Sequence, residues 1–321
     1  MGEIQSIKRV EIREFELSPL DNSKILCLAF DSDFIIGLDS KGCGVIPNCH
    51  DYQQANCLFT ATDQPLAITE RFSNNAEQTI VTLECSCLNA EPRFAVYRGN
   101  SVGNAFLYKP DESLTSHVLR WNGYPNMMVL KSSSQVIFGG KTNDGPPVIA
   151  ELRLRKKCPV IIDKTISIDL DIKALFYNRK LDILCVCHAR SVSVFDMNYR
   201  IIERISREEK FYYWNPNQVT LLDQNILVVK AEKIDVSDLN PREFLHAFKF
   251  ISNHYEECAT LYCSTLDMLS AAQRTSSLRN RCQGLLCRCN REDNSAGDTP
   301  NGFQFVAQNA GRLIIVRYEF Q

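Results

Sequence analysis

The feature that most constrains this chain is a recurring pair of short apolar runs joined by a tight polar turn. Clear copies are Phe34 to Leu38 with Cys43 to Ile46, Phe94 to Tyr97 with Ala105 to Tyr108, and Val136 to Phe138 with Val148 to Leu152. Three more are Ile183 to Val186 with Val192 to Asp196, Ile226 to Val229 with Ile234 to Asp238, and Phe303 to Val306 with Leu313 to Val316. Runs of about four to eight residues rich in Val, Ile, Phe, Tyr and Cys, closed by Gly, Asn, Asp or Ser, are strand texture. Several are apolar at consecutive positions, as expected of strands covered on both faces. Helical spacing is confined to Tyr255 to Leu269, so the chain reads as all-β.

Successive copies begin about 40 to 60 residues apart, the period of one four-stranded propeller blade. A further apolar run precedes most copies: Ile25 to Phe30, Thr79 to Cys87, Met127 to Lys131, Lys173 to Tyr177 and Gln218 to Leu222. Each is expected to be the innermost strand of its blade. The reading is a single closed β-propeller domain over 1–321, with seven blades favoured over six. It has an irregular blade or insertion at 251–283 and a flexible polar loop at 291–301. The last copy lacks an outer strand, and Val10 to Leu17 alternates apolar and charged residues in the way an exposed outer strand does. Pairing there closes the ring and removes the open edges.

Composition narrows the function classes. Lys plus Arg total 36 against 38 acidic residues, a net charge of -2, so no chain-wide field draws the protein to nucleic acid or an anionic membrane. The residues from Met1 to Gln5 carry no apolar core of a leader, and no run of membrane-spanning length occurs. Fourteen cysteines, many inside apolar runs such as Ile183 to Cys187, read as reduced, packed thiols. The expected setting is cytoplasm, nucleus or both, with no membrane contact.

Ser193-Val194-Phe195-Asp196 is similar to the strand end of a WD repeat with phenylalanine in place of tryptophan, and Asp235-Val236-Ser237-Asp238 is a weaker echo. No Gly-His pair precedes an inner strand. The chain therefore resembles a divergent WD-repeat-like propeller, which implies a noncatalytic scaffold in a multiprotein assembly.

The residues themselves point the same way. His50, His117, His188, His246 and His254 are dispersed, and neither a metalloprotease His pair nor a nucleophile elbow is present. The glycines from Gly99 to Gly103 and Gly139 to Gly145 lack a phosphate-binding lysine and read as turns. His254, Cys258, Cys263, Cys282, Cys287 and Cys289 form the densest set of metal-ligand types. Their spacing departs from structural zinc sites, so no metal and no cofactor is expected.

Binding residues are expected on loops at one end of the ring. Trp121 and Tyr124 lead into one inner strand, and Tyr212, Tyr213 and Trp214 into another. Arg190 and Arg312 lie in turns expected on the same face, together with Lys41, Asn100, Asn143, Asp144 and Lys233. Trp, Tyr and Arg are the types enriched at interface hot spots. The competing reading makes the tryptophans wedges between blades.

The leading function is thus a protein-interaction scaffold, monomeric within its assembly. An accessory subunit of an RNA-processing or RNA-modifying enzyme is the alternative, resting on the aromatic loops and on Arg274, Arg279, Arg281, Arg288 and Arg291. A second basic run, Arg153 to Lys157, reads as a solvated loop. A propeller hydrolase, the remote third reading, would need Ser-x-Asp boxes that the chain lacks.

Overall fold

In the computed structural model the described residues are 6–15, 27–30, 34–38, 43–47, 56–59, 63–69, 72–74, 77–85, 93–102, 105–115, 117–118, 123–155, 161–168, 170–209, 212–222, 225–235, 242–262, 284–288, 302–309 and 312–321. They divide into two compact units: Phe15–Leu170 with Gly311–Leu313, and Asp171–Ala310 with both chain ends, Met1–Glu14 and Ile314–Gln321. The first strand, β1 (Ile7–Phe15), belongs almost wholly to the second of these.

The Phe15–Leu170 unit holds three antiparallel sheets. In the first, β2 (Cys27–Phe30), β3 (Phe34–Leu38), β4 (Cys43–Pro47) and β5 (Asn56–Phe59) lie side by side in chain order. The second contains β6 (Gln64–Ile68), β7 (Phe72–Asn74), β8 (Glu77–Cys85), β9 (Arg93–Val102), β10 (Ala105–Pro110), the short helix α1 (Glu112–Thr115) and β11 (His117–Val118). Its main order is β10-β9-β8-β6. Thr79 to Cys85 is therefore an interior strand, not the flanking one the sequence pattern suggests, because β6 pairs beyond it. The third sheet is β12 (Gly123–Ser132), β13 (Gln135–Thr142), β14 (Pro147–Arg153) and β15 (Ile161–Ser167), again in chain order.

The last two of these sheets bury one shared core, in which Val81, Phe94 and Val96 meet Leu130, Phe138 and Leu152. The opposite face of β8 and β9 buries a bonded carboxylate. Glu84 is fully buried, accepting from Thr82 Oγ1 at 2.6 Å, Tyr97 OH at 2.8 Å and Asp63 N at 3.2 Å. A buried carboxylate is tolerated only with such partners, and here they tie β8 to β9 across the sheet. Of the glycines expected in turns, Gly145 lies in the β13–β14 turn, Gly103 lies outside the described residues, and Gly99, Gly139 and Gly140 are strand residues. Gly99 sits in β9 because a Cβ there would come within 2.7 Å of the Tyr108 ring, and Gly139 and Gly140 pair with Ile149 and Val148.

The second unit opens with β16 (Ile172–Asn178), β17 (Ile183–His188), β18 (Ser191–Phe195) and β19 (Ile201–Ser206) in chain order. β18 is buried at every position, its serines Ser191 and Ser193 included. Asp196, the residue that resembles the end of a WD repeat, caps the following turn: its Oδ1 accepts from Asn198 N at 2.9 Å and Arg200 N at 2.8 Å.

Next come β20 (Glu208–Glu209), β21 (Tyr212–Leu221), β22 (Ile226–Asp235), β23 (Arg242–Ile251) and β24 (His254–Tyr262). Two expectations are corrected here. Ile226 to Asp235 is one strand and not two, since Lys230 and Glu232 inside it pair in register with Leu245 and Glu243 of β23. Residues from Tyr255 to Tyr262 are strand and not helix, pairing with β23 from Phe250 to Phe244. The irregular segment expected at 251–283 is thus regular over 251–262, while 263–283 and the loop at 291–301 lie outside the described residues.

The final sheet is β25 (Gly284–Arg288), β26 (Gly302–Asn309) and β27 (Arg312–Phe320), with β1 as its outer strand in the order β1-β27-β26-β25. Ser6 and Gln321 exchange both backbone hydrogen bonds at 3.0 Å. The alternating segment near the start of the chain therefore supplies the strand that the last repeat lacks. Ile7, Val228, Leu245, Phe303, Phe305 and Tyr318 share the core of this unit. Lys230, 5% exposed, is held there by Glu243 at 2.8 Å and lies over the Phe305 ring at 5.0 Å.

Candidate interaction surface

The residues expected to bind partners divide sharply in their placement. Trp121 lies outside the described residues. Tyr124 is on β12, Tyr212 and Tyr213 begin β21, and Arg312 begins β27. Their strands are described and their side chains lie outside the described set. Arg190 is exposed in the β17–β18 turn with a φ of 75°. Asn143 and Asp144 are exposed in the β13–β14 turn. Lys233 is a strand residue opposite Trp214, and Asn100 lies within β9. Lys41 is outside the described residues.

Trp214 is the residue the structure reassigns. It is 4% exposed, so its ring does not face solvent. It packs edge-on against His246, with centroids 5.9 Å apart, and against Phe248 at 6.4 Å. Both rings belong to β23 of the same sheet, so the indole packs within its own sheet. Its Nε1 is buried without a hydrogen-bond partner, a cost that the aromatic packing must offset.

Around Trp214 is a polar cluster that no local motif announces. His246 Nδ1 lies 3.1 Å from Thr260 Oγ1 and receives Arg207 Nη1 at 3.4 Å. Arg207 is paired with Glu257, whose other oxygen is 3.7 Å from His246. Burial, reinforced by the charges of Arg207 and Lys233, lowers the His246 pKa to about 3. The imidazole is therefore neutral near pH 7, and the Arg207–Glu257 pair is the charged element. The arrangement joins β21, β23 and β24, with Arg207 just after β19, into one polar-aromatic knot.

His188 is fully buried with Nε2 3.1 Å from Ser193 Oγ, and Ser193 is fully buried too. The pair fastens β17 to β18 and offers nothing to a substrate. Cys185 and Cys187 are buried beside it. Burial pushes the Cys185 thiol up to about 12, and Cys187 is raised by burial and by Cys185. Both behave as small apolar residues. Of the cysteine-rich set, His254 is exposed and pairs with Glu256 at 2.7 Å, while Cys258 donates to the Ala247 carbonyl at 3.4 Å. Cys263, Cys282 and Cys289 lie outside the described residues, and Cys287 is on β25. Among the described residues no group of three or more metal-ligand types converges.

No protein-family model matches the chain, and no curated protein sequence matches it. Solved structures do. The chain is similar to the WD40 domain of coronin from Toxoplasma gondii, with a TM-score of 0.51 and 11% identity over 100% of this chain and 88% of that one. The Pan2 WD40 domain of Neurospora crassa matches with a TM-score of 0.42 and 11% identity, over 99% of this chain and 97% of that one. With its run of antiparallel sheets, the chain has an all-β fold of the β-propeller class. That likeness is consistent with the WD-repeat resemblance of Ser193 to Asp196. Among the described residues, no helix is long and apolar enough to cross a membrane.

Proposed function

We propose that the chain is a noncatalytic protein-interaction scaffold, one subunit of a multiprotein complex, built as a closed WD-repeat-like ring. The observation that carries this reading is the likeness to a WD40 domain over the whole chain. The placement of the polar groups supports it: His188, Ser193, His246 and Glu84 are buried and engaged with other protein groups. The proposed ring has seven blades in preference to six, and six antiparallel sheets lie among the described residues. Pairing of β1 with β27 is what would close such a ring.

The proposed binding face carries Trp121, Tyr124, Tyr212, Tyr213, Arg190 and Arg312, with Trp214 behind it as a packing residue. Partners are other proteins, and the chain works as a single copy within the assembly. The reduced thiols Cys85, Cys185, Cys187 and Cys258 support a setting in cytoplasm or nucleus.

The test is quantitative affinity capture from a cell extract, comparing the wild type with a Trp121→Ala, Tyr124→Ala, Arg312→Glu variant of unchanged thermal melt. Proteins held in stoichiometric amounts by the wild type and lost by the variant support the reading. Capture of RNA, released by raising salt, in place of protein would move the chain to the RNA-processing alternative. Identical capture by both chains removes the aromatic face.

A further inference from the structure

The turn between β18 and β19 carries a methionine whose sulfur shares a proton donor with a carboxylate. Met197 is 37% exposed, and Ile201 and Ile202, just beyond it, are 50% and 45% exposed. A one-residue bulge between Val194 and Phe195 interrupts the β18–β19 pairing there, and this end of the strand pair lies open to solvent. Of the other described methionines, Met128 is buried and Met127 half-buried. A small oxidant arriving from water therefore meets Met197 first, since oxidation of side-chain sulfur follows exposure.

The Met197 Sδ lies 3.8 Å from the Tyr177 hydroxyl, which also donates to Asp182 Oδ1. A phenol has one proton to give, and a carboxylate is a far stronger acceptor than a thioether. Asp182 therefore holds that proton while the sulfur is reduced. The bond matters locally, because Asp182 stands in the β16–β17 turn at a φ of 60°, a left-handed conformation uncommon outside glycine. Asp182 N donates to Asn178 O at 2.8 Å, and Asn178 Oδ1 accepts from Lys180 N at 3.1 Å and Leu181 N at 3.2 Å. Tyr177 is itself buried, so its hydroxyl is a fixed post between the two turns.

We propose that Met197 is an oxidation site, and that its sulfoxide draws the Tyr177 hydroxyl away from Asp182 and loosens the β16–β17 turn. A hydroperoxide such as hydrogen peroxide supplies the oxygen. An S–O bond forms from a sulfur lone pair, the O–O bond breaks, sulfur gives up two electrons, and the second oxygen departs as water. Oxygen added on the side facing Tyr177 enters the 3.8 Å gap between sulfur and hydroxyl, where it both crowds the hydroxyl and accepts from it. Asp182 is half-buried and turns to water when released. Thiol-dependent sulfoxide reductases reverse the oxidation. The site stands independently of the scaffold reading.

The test treats the whole chain with dilute hydrogen peroxide and follows it by peptide mass spectrometry and hydrogen–deuterium exchange. Met197 should gain oxygen well ahead of Met128. Exchange in peptides covering residues 178–183 should then rise about tenfold or more, the scale set by losing one hydrogen bond to a charged group. A Met197→Leu variant treated in parallel reports whatever the cysteines contribute, and should show no such rise. In a Tyr177→Phe variant Met197 should still be oxidised, while the turn exchanges fast before treatment and gains nothing after it. The proposal is overturned if Met197 and Met128 oxidise together, if the turn keeps its protection once Met197 is oxidised, or if either variant responds as the wild type does.

Discussion

Replacing Trp214 with alanine should cost the protein about 3–5 kcal/mol of stability. The indole is 4% exposed and wedged against His246 and Phe248. A tryptophan buries about 150–250 Å². At about 25 cal/mol per Å² that is roughly 4–6 kcal/mol, reduced by about 10–40% for the compactness of unfolded chains. The result agrees with the range of roughly 3–5 kcal/mol for Trp→Ala in cores. Phenylalanine separates two contributions. It keeps most of the aromatic contact and removes the unpartnered Nε1 donor, whose burial costs about 1–3 kcal/mol. Trp214→Phe should therefore lie within about 1–2 kcal/mol of the wild type, the small remaining void offsetting the gain. Urea titration followed by far-ultraviolet circular dichroism reads both. If Trp214→Ala unfolds within about 0.5 kcal/mol of the wild type, the value expected of a surface site, the packing assignment is refuted. A Phe variant as damaged as the Ala variant would mean that Nε1 holds a partner the packing argument omits.

Three further outcomes follow from buried groups. His246 has a folded pKa of about 3 against an ordinary 6.5, so the unfolded chain binds the extra proton between those values. Its contribution therefore lowers stability as pH falls from about 6.5 toward 3, with a slope of at most about 1.4 kcal/mol per pH unit; His246→Asn should flatten that part of the stability profile, and an unchanged profile contradicts the assignment. Cys185 and Cys187, held protonated by burial, should resist iodoacetamide at pH 8 in the folded protein and react fully in denaturant, as peptide mass spectrometry will show. Gly302→Ala should destabilise by about 1–3 kcal/mol or more, because its Cβ would stand 2.2 Å from the Tyr318 carbonyl oxygen on the adjacent strand; a wild-type melting temperature would refute that close approach.

What was legible in the sequence was what short-range pattern encodes. Consecutive apolar residues from Ile183 to Cys187 marked a strand, and from Leu184 on it is buried at every position. Alternation between Val10 and Phe15 marked an outer one, and the structure sets it beside β27. What failed was wherever a distant partner decides the outcome. Lys230, Glu232 and Lys233 looked like a polar turn, yet Lys230 is held by Glu243 and the Phe305 ring, so the strand passes straight through. Tyr255, Cys258, Ala259 and Tyr262 fall at helical spacing, but eight pairings with β23 impose a strand.

The candidate site was less legible still. Tryptophan is enriched at interfaces and in cores alike, and only the packing of His246 and Phe248 places Trp214 in the second class. The knot around it joins residues 14, 39 and 50 positions apart, beyond the reach of any motif. The exposed isoleucines depend on a one-residue bulge, which periodicity alone does not announce.

The most direct test of the fold on which the functional reading rests concerns the two ends of the chain. Ser6 and Gln321 exchange two backbone hydrogen bonds at 3.0 Å, and such pairs have Cα atoms about 5.5 Å apart, within disulfide range. A Ser6→Cys, Gln321→Cys variant, oxidised at low concentration and digested, should yield a linked peptide joining residues 6 and 321 within one molecule. Neither single variant should yield it. Absence of that link under conditions where the protein remains folded would mean that β1 does not pair with β27, and the propeller account would lose the strand that completes its last sheet.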